Sequence, residues 1–223
     1  MAHVFVVDIE RPELTAEDRH HLERVLRLER DRPFVASDGA GRHRPCRIGP
    51  GRSVVVAGEV AEEPAPRPAL TVAMALTKGE RAEVAVQKLT ELGVDQIVLM
   101  AAARSVAHWE GERAERRLVR LRRIAREASM QSRRVFLPLV EGVVPFAGAA
   151  ALPGAALAER GGGPLSLGHP TVLVGPEGGW SDEELEFPLA RVALGPHVLR
   201  AETAAMAAAT ILAALRHGSV HCA

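Results

Sequence analysis

The chain has 223 residues, 47% of them hydrophobic and 25% charged, enough for one large domain or for a small one joined to a medium one. Lys plus Arg and Asp plus Glu both total 28, so net charge excludes any argument from composition for a partner of one sign. Cys46 and Cys222 form no metal spacing or disulfide framework, the start MAHVFVVDIERPEL has no basic, then apolar leader, and the longest apolar run, around Ala204–Leu215, is too short for a bilayer; together these predict a cytoplasmic protein with no membrane partner.

In chain order, Val4–Val7 reads as a short strand. LTAEDRHHLERVLRL then reads as a helix, with Thr15 as N-cap, Asp18 in its first turn, and Leu22, Val25, Leu26 and Leu28 largely on one side. His20 and His21 are adjacent and cannot face one metal; with Arg24 and Arg27 they form either a solvated helix face or part of an RNA surface. SDGAGRHRPCRI predicts a glycine turn between strands, and SVVVAGEV a further strand. A few strands and one helix suggest a small barrel or half-open sheet. Pro64, Pro66 and Pro68 in AEEPAPRPAL withhold backbone donors and read as a linker, dividing the chain into residues 1–65 and 69–223.

The second piece alternates. LTVAMAL is a strand, GERAEVAVQKLTELG a helix closed by Gly93, DQIVLMAA a strand, and ERAERRLVRLRRIAREASMQS a long helix. GAAALPGAALAERGGGP is low in complexity and reads as a mobile connection containing a weak strand candidate, AALAE. TVLVG is a strand, SDEELEF a helix start, RVALG a strand, and AETAAMAAATILAALRHG a final helix ending at Gly218. Near-continuous apolar strands alternating with helices predict a mostly parallel sheet covered on both faces. Ligands in such sheets sit at the carboxyl ends of the strands.

Two segments fall at such ends. Gly175-Pro176-Glu177-Gly178-Gly179 follows TVLV. It is neither a P-loop nor a dinucleotide fingerprint, since no Lys-Ser/Thr and no G-x-G-x-x-G is present. Its glycines let backbone approach a ligand, Pro176 stiffens the turn, and Ser181 with Glu184 forms a capping box. Glu177 beside a helix start would repel phosphate, which favours a ligand with hydroxyls, amines or a positive centre. A tight strand-to-helix turn without a ligand is the alternative. The second segment, Leu194 to Ala204, holds another Gly-Pro, then Arg200 and Glu202. Those two either belong to a site or merely suit a helix N-terminus and a surface ion pair. The Ala-rich helix after them is smooth enough for deep packing or a subunit interface.

From Arg104 to Arg134 there are ten arginines against Glu110, Glu112, Glu115 and Glu127. Leu118, Leu121, Ala125 and Ala128 give an apolar stripe, while Arg116, Arg120 and Arg123 share another face. The run is either a solvated face or a phosphate-contacting surface. Lys78 and Lys88 are the only lysines, a shortage that reflects either a coding bias towards Arg and Ala or selection for guanidinium chemistry, and under the first reading these two positions stand out. At 3% aromatic content, base stacking on a sheet cannot be the main mode of recognition.

GPEGGWSDEE followed by LGPHVLRAETA resembles the RsmE family, S-adenosylmethionine-dependent methyltransferases of the knotted SPOUT superfamily that act on 16S ribosomal RNA. The resemblance continues in LTAEDRHHLERVLRL, TKGERAEVAVQKLTELGV and REASMQSRRVFLP, in family order across both pieces. It implies an α/β protein: a small N-terminal PUA-like β-barrel domain for RNA and a C-terminal SPOUT α/β domain with a trefoil knot. Physics alone argues against a knot, since connections almost never thread. It also implies a homodimer, and methylation of N3 of one uridine, position 1498 in the usual rRNA count, with 16S rRNA within the 30S subunit as partner.

The resemblance implies that Leu173, Gly175, Pro176, Glu177, Gly178 and Gly179 on one side, and Leu194, Gly195, Leu199 and Arg200 on the other, hold S-adenosylmethionine, with no metal. Arg200 is the candidate cation for charge on the uridine oxygens, and Glu202 the candidate base. Arg24, Arg27, Lys78, Lys88, Arg104, Arg126, Arg133 and Arg134 are the candidate RNA contacts. The chain departs from the family pattern at His3, His197, Ala201 and Arg30-Asp31-Arg32-Pro33, which bears on substrate detail. A methyltransferase acting on another RNA such as tRNA, and a catalytically retired RNA-binding protein, remain as alternative readings.

Overall fold

The computed structural model describes residues 1–16, 18 and 31–220. The body of the expected first helix, with His20, His21, Arg24 and Arg27, lies outside the described residues, as does Cys222. Its expected cap is present: Thr15 Oγ1 accepts from Asp18 N–H at 3.1 Å. No described helix is long and apolar enough to cross a membrane.

The chain forms two compact units, Met1–Ala65 with Arg126–Leu137, and Pro66–Ala125 with Pro138–Ala223. In the first, strands β1 (Ala2–Phe5), β2 (Pro33–Ser37), β3 (Arg42–Ile48) and β4 (Val54–Val56) make one sheet in that order, and β5 (Ala61–Glu62) also pairs with β3. β1 runs parallel to β2 and the other pairs are antiparallel. Among the described residues this sheet does not close into a barrel. The β2–β3 turn is the expected glycine turn. Gly39 (φ 79°) and Gly41 (φ 107°) take left-handed conformations, and Asp38 Oδ1 accepts from Ala40 and Arg42 N–H at 2.8 and 3.1 Å. Val4, Phe5, Ile9, Phe34, Ala36 and Cys46 pack with Met130 in the core. Burial raises the pKa of the Cys46 thiol.

The second unit is an α/β sheet of six parallel strands in the order β11-β9-β10-β6-β7-β8. Its elements are β6 (Thr71–Ala75), α1 (Arg81–Glu91), β7 (Gln96–Ala101), α2 (Gly111–Ser132, whose end belongs to the first unit), β8 (Leu139–Pro145) and α3 (Phe146–Ala150). They continue with β9 (Ala155–Pro164), β10 (Thr171–Val174), α4 (Asp182–Leu185), β11 (Ala190–Ala193) and α5 (Ala201–Arg216). β6 and β10 are buried along their whole length, so alternate residues feed two cores. Val72 and Met74 join Leu89 of α1 and Leu212 of α5 on one face; Ala73 and Ala75 join Leu173, Phe146 and Trp180 on the other. Each fully buried Leu or Met contributes roughly 1.5–3 kcal/mol to burial of this sheet.

Both predicted helix stops are Schellman ends. Val94 N–H reaches Leu89 O and Gly93 N–H reaches Thr90 O after α1; Ser219 N–H reaches Ala214 O and Gly218 N–H reaches Leu215 O after α5. One expectation is corrected. The stretch read as a mobile connection contains β9, ten residues hydrogen-bonded between β10 and β11, of which the first five are the weak strand candidate AALAE. Glycine serves there because backbones converge: a Cβ on Gly162 would lie 2.6 Å from both Arg191 C and Val192 N. β8 and α3 were not anticipated.

Candidate functional site

The loops after β10 and β11 both leave carboxyl ends of parallel strands. They face a cavity of about 310 Å³, large enough for a small organic ligand. Gly175, Pro176, Glu177 and Gly179 line it from the first loop; Leu194, Gly195, His197, Val198 and Leu199 line it from the second. Ala158, Glu159 and Arg160 of β9 and Ala201 and Ala204 of α5 complete it, together with Val174, Trp180 and Leu185.

Local chemistry holds the first loop. A Cβ on Gly175 would sit 3.0 Å from the Trp180 ring, so the strand end needs a residue without one. Trp180 is fixed by its indole N–H, which donates to Ala158 O at 3.1 Å, and by edge contact with Phe146 at 5.6 Å. Gly179 turns the chain at φ 71°, and the expected capping box forms: Ser181 Oγ accepts from Glu184 N–H while Glu184 Oε2 accepts from Ser181 N–H. Glu184 Oε1 also accepts from Ala103 N–H at 2.8 Å. The second loop turns at Gly195 (φ 150°) and ends at Arg200, the N-cap residue of α5, which makes no side-chain cap bond.

Of the expected ligand residues, seven line the cavity: Gly175, Pro176, Glu177, Gly179, Leu194, Gly195 and Leu199. Leu173 does not; it is fully buried in the core, because strand alternation points Val174 rather than Leu173 at the cavity. Gly178 faces away, with its carbonyl 3.3 Å from Arg104 Nη1. Arg200 is exposed between two lining residues, Leu199 and Ala201. Glu202 does not line the cavity. Its Oε1 lies 3.9 Å from Arg81 Nε, and its Oε2 is buried with no hydrogen-bond partner. Arg81 also donates to Glu177.

Sequence reasoning missed Arg81, Ala158, Glu159, Arg160, Trp180 and Val198 as parts of this site; His197 and Ala201, noted only as departures from the family pattern, also line it. Arg81 lies in the motif stretch TKGERAEVAVQKLTELGV, the one signal that pointed near it. Glu159 ended the weak strand candidate AALAE and Arg160 followed it, in a stretch otherwise taken for a connection; Glu159 pairs with Arg191 at 3.2 Å.

The expected RNA contacts divide. Lys78, Arg104 and Arg133 are exposed and Arg134 is half-buried. Lys88 pairs with Glu91 at 2.7 Å. Arg126 pairs with the buried Asp18 at 2.7 Å and donates to Phe5 O at 3.0 Å. Along α2 the run is partly self-neutralised, with Arg116 on Glu112 at 3.1 Å and Arg120 on Glu83 at 2.8 Å, while Arg117 lies over the Trp109 ring. Among the described residues no group of three or more His, Cys, Asp or Glu could hold a metal ion.

Residues 63–213 match a family model for an RNA methyltransferase domain. The chain is 35% identical over 217 residues to ribosomal RNA small subunit methyltransferase E of Mycobacterium bovis, covering 86% of this chain and 82% of that protein. Among solved structures, an rRNA methyltransferase from Porphyromonas gingivalis is 28% identical with a TM-score of 0.83, covering 99% of this chain and 100% of that one. A methyltransferase from Legionella pneumophila, solved with S-adenosylmethionine bound, is 26% identical with a TM-score of 0.82, covering 96% and 97% of the two chains.

Proposed function

The chain belongs to the ribosomal RNA small subunit methyltransferase E (RsmE) family of RNA methyltransferases, and from that premise we propose that it methylates N3 of one uridine in 16S rRNA, using S-adenosylmethionine. The observation that carries the reading is the cavity enclosed by two glycine loops at the ends of β10 and β11. Its residues suit the donor. Glycine backbone at 175, 179 and 195 offers amide contacts, Leu194, Leu199 and Val174 offer an apolar slot, and Glu159 and Glu177 offer acceptors for hydroxyls and favour a cation. Phosphate would find no cradle there. S-adenosylmethionine, when bound, supplies a methyl group made electrophilic by its sulfonium sulfur.

The protein's part is alignment and charge. The two loops restrict the donor to one orientation, and holding attacker and methyl in line is worth effective molarities of roughly 10⁵ M or more. Uridine N3 must give up its proton to solvent water, leaving negative charge shared by O2 and O4. Arg200, exposed beside the cavity, is assigned to stabilise that charge. Glu202 is the alternative residue for the proton, but its Oε1 faces Arg81 and it does not line the cavity, so we assign it to holding Arg81 instead.

The smaller unit is assigned as a PUA-like RNA-binding domain, on its β-rich sheet, with Arg133 and Arg134 as phosphate contacts; Arg24 and Arg27, outside the described residues, are assigned the same role from the sequence. Lys78 and Arg104 are assigned the same role on the larger unit. Insertion of β9 between β10 and β11 supports the trefoil-knot reading. The partly exposed face of α5, with Met206, Ala207, Ile211 and Ala214, supports a homodimer. The substrate is inferred to be 16S rRNA assembled in the 30S subunit, in the cytoplasm.

The test is methyl transfer from labelled S-adenosylmethionine to 30S particles lacking the modification, with the product nucleoside identified by mass spectrometry. The expected product is 3-methyluridine. Label on tRNA but not on 30S would overturn the substrate, and failure to bind the donor would overturn the reaction.

A further inference from the structure

We propose that Arg81 is a positioning residue that holds the first cavity loop, through Glu177, against the start of α5 where the second loop ends, through Glu202, in the arrangement that binds the methyl donor; the proposal rests on the donor reading of the cavity given above. Arg81 belongs to neither loop. It is the first residue of α1, a helix anchored by the buried Ala82, Ala85, Val86 and Leu89, so its side chain projects from a fixed base. Its Nη1 donates to Glu177 Oε1, and its Nε lies 3.9 Å from Glu202 Oε1. Glu177 lines the cavity in the loop after β10, and Glu202 follows the lining residue Ala201 at the start of α5.

Two carboxylates on separate segments of one site repel each other unless a cation stands between them. A guanidinium can serve both at once, because its donors form a rigid planar fork; a lysine ammonium carries the charge without that geometry. The side chain of Glu202 is only 14% exposed, and its Oε2 is buried without a hydrogen-bond partner. Its charge is therefore poorly hydrated, and Arg81 is the cation set beside it. Arg81 itself is 42% exposed, so these pairs add little to folding stability. Their effect is local: they set the spacing of two loops whose backbone forms the ligand walls, and a ligand gains affinity when the walls are already in place.

The experiment measures S-adenosylhomocysteine binding to the full chain by calorimetry, beside thermal unfolding of the unliganded protein, for wild type, Arg81→Met and Arg81→Lys. The wild type is expected to bind. Arg81→Met, which keeps an apolar stem, should raise Kd by on the order of tenfold with Tm shifted by no more than about 3 °C. Arg81→Lys should recover part of the affinity. A Kd for Arg81→Met within about twofold of wild type would overturn the proposal. So would a large fall in Tm shared by both variants with lysine no better than methionine, since that marks a merely structural residue. A wild-type protein that binds no S-adenosylhomocysteine overturns the donor reading of the cavity itself, an outcome separate from any behaviour of the variants.

Discussion

Glu184, at the start of α4, bonds to the backbone of Ala103, in the loop after β7: Oε1 accepts from Ala103 N–H at 2.8 Å, while Oε2 accepts from Ser181 N–H at 2.8 Å. One buried carboxylate thus caps the helix behind the first cavity loop and ties that helix to the loop after β7. Glu184→Ala would strand two amides, with a cost of about 2 kcal/mol. Glu184→Gln keeps one acceptor but turns an amide N–H₂ towards the other donor, so its loss should be intermediate. Urea unfolding of the three proteins checks the order wild type, Gln, Ala. A Gln variant as stable as wild type would mean that only one of the two bonds matters.

Gly162 of β9 lies where two backbones converge. A Cβ there would first meet main-chain atoms of Arg191 and Val192, at 2.6–2.7 Å, and backbone cannot rotate away as a side chain can. Gly162→Ala should force β11 outward and cost roughly 1–3 kcal/mol. Because β11 leads directly into Leu194 and Gly195, S-adenosylhomocysteine binding should weaken as well. Gly163→Ala is the control, since its nearest contact would be Arg191 O at 3.9 Å, and it should unfold like wild type. Equal behaviour of the two variants would argue against the steric account.

Features set by local chemistry were readable in the sequence, and those set by distant pairing were not. Gly93 and Gly218 marked helix ends because a Schellman turn needs a left-handed residue there, and Ser181 with Glu184 marked a helix start because both capping bonds are local. The first half of β9 was legible as the weak strand candidate AALAE; its second half, Arg160–Pro164, was hidden because a glycine run carries no period-2 signal. Leu173 was assigned to the cavity from its place in a motif, whereas alternation along β10 turns Val174 there instead. Arg81 and Glu177 are far apart in sequence, and no spacing rule links them.

His3 predicts an acid sensitivity in the smaller unit. It is 3% exposed, its Nε2 has no hydrogen-bond partner, and its pKa is lowered from 6.5 to about 4, by burial first and by the charge of His43 second. Above pH 6.5 the ring is neutral in both folded and unfolded chains, so its burial carries no protonation penalty. As pH falls towards 4 the unfolded chain takes up a proton that the folded chain refuses, and stability is lost across that window. A gap of this size corresponds to roughly 3 kcal/mol. Urea midpoints at pH 7.5 and 4.5 should therefore separate further for wild type than for His3→Leu, which cannot titrate. Parallel losses in the two proteins would place the acid sensitivity elsewhere.

Arg200 separates chemistry from donor binding. It stands between the lining residues Leu199 and Ala201, yet its side chain makes no cap bond to α5 and does not line the cavity, so Arg200→Ala should leave both the helix start and the donor walls intact. If its guanidinium stabilises charge on the uridine oxygens only as the proton leaves N3, the loss falls on kcat, by about 10²–10³-fold, the range seen when one such donor is removed. The Kd for S-adenosylhomocysteine should change little. Arg200→Lys keeps the charge but not the fork, so its kcat should lie between the two. Both quantities are measured with the same preparations, kcat on 30S particles and Kd by calorimetry. A Kd that rises as far as kcat falls would move Arg200 from the reacting base to the donor, because one residue serving both loop geometry and charge stabilisation could not lower kcat alone.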